Sequence, residues 1–143
     1  MQRRNFLLRT AAAIALIALT SIQVIPAFAA NKGGQKAKAT VVIIKADWCT
    51  DCQRLAPKMG ELIKQYGERL NFVLLDVTDD AKTAASAETA RKLGLTSFFE
   101  ENKKKTSTVA IFGKGNKLLF KTFRHHDEDA YVKAFDDAIA RTS

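Results

Sequence analysis

Two cysteines separated by two residues are the part of this sequence best suited to chemistry. The chain contains two cysteines, Cys49 and Cys52, in the stretch ADWCTDCQRLAP at 46–57. Sulfur atoms at this spacing can act as a redox couple, form half of a metal site, or form a structural cross-link. A cross-link across two residues closes a very small loop and removes little entropy from the unfolded chain. The spacing therefore favours reactivity over stabilisation.

The residues around the cysteines predict a strand before them and a helix after them. The β-branched run TVVIIKA at 40–46 is typical of a buried strand. After the cysteines, apolar residues recur at helical spacing as far as Gly67, which predicts a helix that ends there. The cysteines would then lie at a helix N-terminus, where unpaired N–H groups and partial positive charge favour a thiolate.

The rest of the chain alternates strands and helices. We expect a second buried strand at 71–77, a helix at 79–93 capped by Asp79 or Asp80, and strands at 108–112 and 117–123. The last of these strands carries charges that suit an edge, and Asp127 begins a final helix. The order β-α-β-α-β-β-α predicts an α/β fold. One mixed four-stranded sheet would have helices on both faces, with the first two strands parallel.

The first thirty residues have the pattern of an export signal. Three arginines, an apolar run at 11–25 and AFA at 27–29 predict a secretory signal peptide cleaved after Ala29. RRNFL at 3–7 resembles the twin-arginine export motif. An ordinary secretory signal and an uncleaved anchor are the alternatives. We therefore divide the chain into a signal peptide at 1–29, a flexible leader at 30–39 and one domain at 40–143.

The charge of the chain is mildly basic and scattered. The formal net charge is +8, and loss of the three arginines of the signal peptide would leave +5. A lysine cluster at 103–105 has no interleaved aromatic residues, which argues against nucleic-acid binding. Export to the periplasm or a thylakoid lumen would place both cysteines in an oxidising compartment.

The cysteine stretch resembles the active site of the thioredoxin family. WCTDC at 48–52 is similar to the family motif W-C-x-x-C, and Pro57 matches the proline of the family's active-site helix. The resemblance implies a thioredoxin-like fold and an exported thiol–disulfide oxidoreductase. Cys49 would be the nucleophile, Cys52 the resolving thiol, and Trp48 would shape the partner surface. The resemblance implies no cofactor beyond this disulfide, protein disulfides or dithiols as partners, a monomer, and a membrane thiol donor as electron source.

Three positions depart from the family pattern. Ile43 and Leu74 stand where the family has a buried aspartate and a buried lysine that handle protons. Ser107 stands at the position of the family's cis-proline, and we expect a trans bond there because a non-proline cis bond costs about 3 kcal/mol. Ser107 and Thr108 could still present backbone groups to a partner strand.

Asp51 lies between the cysteines and should influence their reactivity. A carboxylate there should raise the pKa of Cys49, which predicts a reductant more than an oxidant. Lys45 and Arg54 are candidate counter-charges. Water, Asp47 and Asp51 remain open as substitutes for the family's proton acceptor.

A longer loop before the third strand predicts an additional helix at 96–105. SFFE at 97–100 fits a capping box. Phe98 and Phe99 would either form a lid for partner docking or complete the core.

Two other classes of function stay open. His125 and His126 could join the cysteines in a copper-binding module, although adjacent residues rarely serve one ion. A non-catalytic docking domain with a vestigial site is the third possibility, and the intact cysteines argue against it.

Overall fold

The computed structural model describes residues 38–143. The signal peptide, its cleavage after Ala29 and most of the leader lie outside the described residues. No helix between 38 and 143 is long and apolar enough to cross a membrane. The elements, with a short 3-10 turn at Lys114–Asn116, are β1 Thr40–Lys45, α1 Thr50–Tyr66, β2 Asn71–Asp76, α2 Asp80–Lys92, α3 Thr96–Asn102, β3 Thr108–Phe112, β4 Leu118–Phe123 and α4 Glu128–Thr142.

The four strands form one mixed sheet, which confirms the predicted fold class. Their order is β2-β1-β3-β4, with β1 and β2 parallel and the other pairs antiparallel. The edge position of β4 is confirmed. The prediction of β2 as a buried strand is wrong, since β2 is the other edge and Leu74 is 52% exposed. An apolar run does not reveal whether a neighbouring strand covers both of its sides.

Helices cover both faces of the sheet. Successive side chains of a strand point to opposite faces, so the continuous apolar runs of β1 and β3 supply two cores. Val41 and Ile43 pack with residues of α1 and α4 on one face. Val42 and Ile44 pack with residues of α2 and α3 on the other. Burial on both faces explains why neither strand alternates polar with apolar residues.

The helix ends follow local signals in most places. The side chain of Asp79 caps α2 by accepting from the N–H of Lys82 at 2.8 Å, and Asp127 caps α4. Gly94 has φ +70°, a conformation that glycine adopts easily and that ends the segment after α2.

The additional helix is present, but the predicted capping box is wrong. Helix α3 begins at Thr96, and its N-cap, Leu95, makes no side-chain hydrogen bond. Glu100, the expected partner in the box, instead pairs with Lys103 at 2.6 Å. Because the helix begins at Thr96, Ser97 lies inside it and is not the N-cap that the box requires.

Candidate functional site

The two cysteines form a disulfide at the beginning of helix α1. Their Cα atoms are 5.2 Å apart, and Cys49 is the N-cap of the helix. The Cys49 sulfur accepts a hydrogen bond from the backbone N–H of Cys52 at 3.1 Å. Cys49 and Cys52 are 7% and 9% exposed. The helix N-terminus that the sequence predicted thus supplies a hydrogen-bond donor to the first sulfur.

The side chain of Trp48 is exposed to solvent but is fixed by one hydrogen bond. Its side chain is 64% exposed, and its indole N–H donates to the carbonyl oxygen of Thr78 at 3.0 Å. The hydroxyl of Thr78 accepts from the backbone N–H of Asp47 at 2.9 Å. Thr78, which follows β2, therefore joins the loop before the cysteines to the neighbouring strand. No signal near the cysteine motif indicates this residue, because it comes 30 residues later in the chain.

Four charged side chains form a network beside this loop. Lys45 contacts Asp47 at 2.6 Å and Asp76 at 3.1 Å, and Lys82 contacts the same two carboxylates at 2.9 and 3.5 Å. The hydrogen bond with Lys45, followed by that with Lys82, lowers the pKa of Asp47. Asp47 is therefore a poor substitute for the family's proton acceptor. The sequence offered Lys45 as a counter-charge for Asp51, but Lys45 pairs with Asp47 and Asp76 instead.

Asp76 is the most strongly perturbed carboxylate of this network. Burial raises the pKa of Asp76, but hydrogen bonds from the hydroxyl and the N–H of Thr78 and from Lys45 outweigh it and lower the pKa to about 2. The side chain stays ionised near neutral pH and fixes Thr78. Asp76 was missed from the sequence, where it reads as the end of a strand.

Asp51 contacts three basic side chains. Its carboxylate lies 3.2 Å from Nε of Arg124 and 3.2 Å from Nε2 of His126. Arg54, the counter-charge expected from the sequence, lies farther away, with its guanidinium nitrogen 4.0 Å from the carboxylate. Arg124 and His126 come from the segment between β4 and α4 and were not predicted as partners of Asp51.

An apolar cavity adjoins Cys52 where the family pattern has a charged pair. Ile43 and Leu74 are directly paired in the β1–β2 register. Both line a cavity of about 390 Å³ together with Cys52 and side chains of α1 that include Met59. The cavity wall next to the second sulfur therefore has aliphatic side chains in the place of the family's aspartate and lysine.

The peptide bond before Ser107 is trans, as predicted. Residues 38–143 contain no cis peptide bond. Its φ is +67°, a left-handed conformation. Its N–H donates to the carbonyl of Ile44 at 2.8 Å, and its carbonyl accepts from the N–H of Arg124 at 3.1 Å. Thr108 begins β3, where it pairs with Ile44 and Phe123. The expectation that Ser107 offers its backbone to a partner is wrong, because its N–H and its carbonyl are both bonded within the domain, and Thr108 is paired on both sides in a central strand.

Phe98 and Phe99 belong to the core. Phe99 is fully buried, and Phe98 packs edge-to-face on Phe112 with ring centroids 5.0 Å apart. Both contact the cluster between the sheet and helices α2 and α3. The core alternative is supported, and a lid formed by these rings is not.

The remaining predicted residues lie in defined places. Pro57 is inside α1, which continues past it to Tyr66. His125 packs near the ring of Tyr131 and accepts the tyrosine hydroxyl at its carbonyl. Within residues 38–143, no three His, Cys, Asp or Glu side chains are grouped so that they could hold an ion.

Comparisons with known proteins agree on the class of this domain. The family model described as Thioredoxin matches residues 31–114. The chain is 46% identical over 43 residues to the "Thiol:disulfide interchange protein TxlA homolog" of Synechocystis sp., covering 30% of this chain and 24% of that protein. It is 50% identical over 40 residues to the "Thioredoxin-like protein HCF164, chloroplastic" of Oryza sativa subsp. japonica, covering 28% and 15%. The chain thus spans about a quarter or less of the length of these two relatives.

A solved structure shares the fold. The "Solution Structure of a Thioredoxin-like Protein in the Oxidized Form" superposes with a TM-score of 0.53 at 18% identity and covers 74% of this chain and 80% of that one. At this identity the likeness concerns the fold alone.

Proposed function

This chain belongs to the thioredoxin family, and on that premise we propose that it is a thiol–disulfide oxidoreductase acting on partner proteins. The observation that carries the proposal is the position of Cys49 at the N-cap of α1, where its sulfur accepts the N–H of Cys52. The same N–H and the helix dipole would stabilise a thiolate on Cys49, and the thiolate is the attacking species in exchange.

The reaction transfers two electrons and two protons. The Cys49 thiolate attacks one sulfur of a partner disulfide, a Cys49–partner bond forms, and the other partner sulfur leaves as a thiolate that takes up a proton. Cys52 loses its proton and attacks the Cys49 sulfur. The bond between Cys49 and the partner breaks, and the second partner sulfur leaves as a thiolate that takes up the proton lost by Cys52. The partner disulfide is reduced to a dithiol while Cys49 and Cys52 return to the disulfide.

The direction of exchange follows from the reduction potential of the pair. The carboxylate of Asp51 in the first turn of α1 disfavours a second negative charge on Cys49, which destabilises the reduced form. We propose that the protein acts as a reductant with a potential below about −200 mV. Electrons would come from a membrane thiol donor, and the protein would act as a monomer.

Trapping of the mixed disulfide tests the reaction. Purified, reduced Cys52→Ser protein should accumulate a covalent complex with disulfide-bonded insulin, because the resolving thiol is missing. Cys49→Ser is the matched control and should form none. The unaltered protein should accelerate insulin reduction by dithiothreitol. Equal trapping by both variants, or no acceleration by the unaltered protein, would contradict the proposal.

We also propose that the protein is exported, to a periplasm or a thylakoid lumen, and cut after Ala29. The arginine-rich and apolar pattern of residues 1–29 supports export, and one relative carries the word chloroplastic in its name. N-terminal sequencing of the exported protein should find Ala30 first. Arg3→Lys with Arg4→Lys should block export if the route is the twin-arginine pathway and leave it intact if the route is the general secretory one.

A further inference from the structure

The carboxylate of Asp51 is held by a segment from the other end of the domain. Arg124 Nε and His126 Nε2 each lie 3.2 Å from it, one at each oxygen. Because a carboxylate accepts hydrogen bonds, Nε2 of His126 is the donor. Asp51 itself is 26% exposed, so both contacts form at a partly dehydrated site. The two side chains clamp a group that lies between the two cysteines.

The segment that carries the clamp is itself anchored. The backbone N–H of Arg124 donates to the carbonyl of Ser107 at 3.1 Å. Lys58 of helix α1 donates to the carbonyl of His126 at 2.9 Å. The buried Tyr131 donates its hydroxyl to the carbonyl of His125 at 2.8 Å. These bonds tie the segment to the start of β3, to α1 and to α4, so the clamp occupies a defined position.

An unclamped carboxylate would repel a thiolate on Cys49, and a clamped one repels it less. We propose that Arg124 and His126 are positioning residues. They fix the Asp51 carboxylate and offset part of its negative charge, Arg124 by its own charge and His126 by a hydrogen bond, and so keep the Cys49 thiolate available. The inference rests on the proposed exchange at Cys49. Among the described charged groups, Arg54 also faces Asp51, but only at 4.0 Å, and Lys58 faces the backbone of His126.

The size of the effect is limited by solvent. Arg124 is 62% exposed, so water screens its charge. We expect Arg124→Ala or His126→Ala to shift the equilibrium of the cysteine pair with glutathione roughly three- to tenfold toward the disulfide, where tenfold corresponds to about 30 mV. Asp51→Asn should shift it in the opposite direction, because it removes the negative charge that the clamp offsets only in part.

The test measures this equilibrium at one pH in the unaltered protein and in an Asp51→Asn background. The shifts from Arg124→Ala and His126→Ala should disappear when Asp51 is already replaced. His126→Gln, which retains a hydrogen-bond donor, should recover part of the loss. His125→Ala is the matched control in the same segment and should leave the equilibrium unchanged. Equal shifts in both backgrounds, or an equal shift from His125→Ala, would overturn the inference.

A second readout separates this inference from the proposed function. The rate at which iodoacetamide alkylates Cys49 in the reduced protein reports the thiolate and needs no partner protein. We expect His126→Ala to slow alkylation roughly three- to tenfold when Asp51 is present, and not in the Asp51→Asn background. If the alkylation result holds while insulin exchange fails, the proposed function is wrong and the clamp stands. If alkylation does not respond, the clamp is refuted whatever the exchange activity.

Discussion

Thr78 is the residue whose replacement should reveal most clearly how the cysteine loop is held. Its hydroxyl accepts from the N–H of Asp47 at 2.9 Å and donates to the carboxylate of Asp76. Thr78→Val removes both bonds and keeps the shape of the side chain. The carbonyl that accepts the indole N–H of Trp48 belongs to the backbone and is retained.

The magnitude follows from the two bonds. A neutral hydrogen bond contributes about 1 kcal/mol, and one to a charged group about 1.5–3 kcal/mol. Asp47 is largely exposed and Asp76 partly so, which allows water to replace some of the loss. We therefore expect the free energy of unfolding to fall by about 2 kcal/mol. For a domain of about 100 residues this corresponds to a decrease in Tm of roughly 10 °C.

Urea unfolding followed by tryptophan fluorescence is a suitable assay, because the chain has one tryptophan, Trp48, and it lies at this site. Thr89→Val is the matched control. Among residues 38–143, the hydroxyl of Thr89 bonds only to the carbonyl of Ala85 one turn earlier in α2, so its loss should change stability by less than about 0.5 kcal/mol. The reasoning is refuted if the two variants lose the same stability, or if Thr78→Val costs as much in an Asp76→Asn background.

Three further predictions concern stability. Asp76 has a pKa lowered from 3.8 to about 2 in the fold, so it stabilises the fold above pH 4 and this contribution is lost as the pH falls to 2. The loss should be about 1–2 kcal/mol in acid denaturation and absent in Asp76→Asn. Ser107→Pro, which restores the family residue, should lower the free energy of unfolding in urea by about 3 kcal/mol or more. Proline cannot adopt the φ of +67° found at this position, and it lacks the N–H that donates to Ile44. Ser107→Gly should leave the free energy of unfolding unchanged, because glycine adopts this φ and keeps the N–H. Gly60→Ala should increase the free energy of unfolding by about 0.5–1 kcal/mol and so raise Tm, because the added Cβ meets no atom within 4 Å. Gly94→Ala should lower Tm, because its Cβ would lie 2.8 Å from the side-chain nitrogen of Asn116.

Local patterns were sufficient for most of the architecture. The strand at 108–112 was predicted at its observed position, and Asp79 is one of the two cap candidates that the sequence offered beside Asp80, because β-branched runs and capping residues act within a few residues of the chain. The prediction for β2 failed for a different reason. Whether Leu74 is covered depends on which strand lies beside β2, and a sequence pattern does not contain that information.

The placement of Phe98 and Phe99 shows the same limit at the level of side chains. The sequence allowed either a lid or the core, and both rings fill the face of the sheet opposite α1 and α4. Their apolar character required burial, but the direction in which α3 packs decided where that burial occurs.

The sequence by itself determined that two sulfurs lie at the start of a helix behind a buried strand. The spacing of Cys49 and Cys52, the helical period after them and the strand before them are all short-range properties. Only the tertiary structure decided which charges surround those sulfurs. Arg124 and His126 reach Asp51 from a segment some 75 residues later in the chain, and Thr78 reaches Trp48 from 30 residues later. Electrostatic and hydrogen-bonded contacts depend on distance in space, and that distance is set when the sheet and its helices pack together.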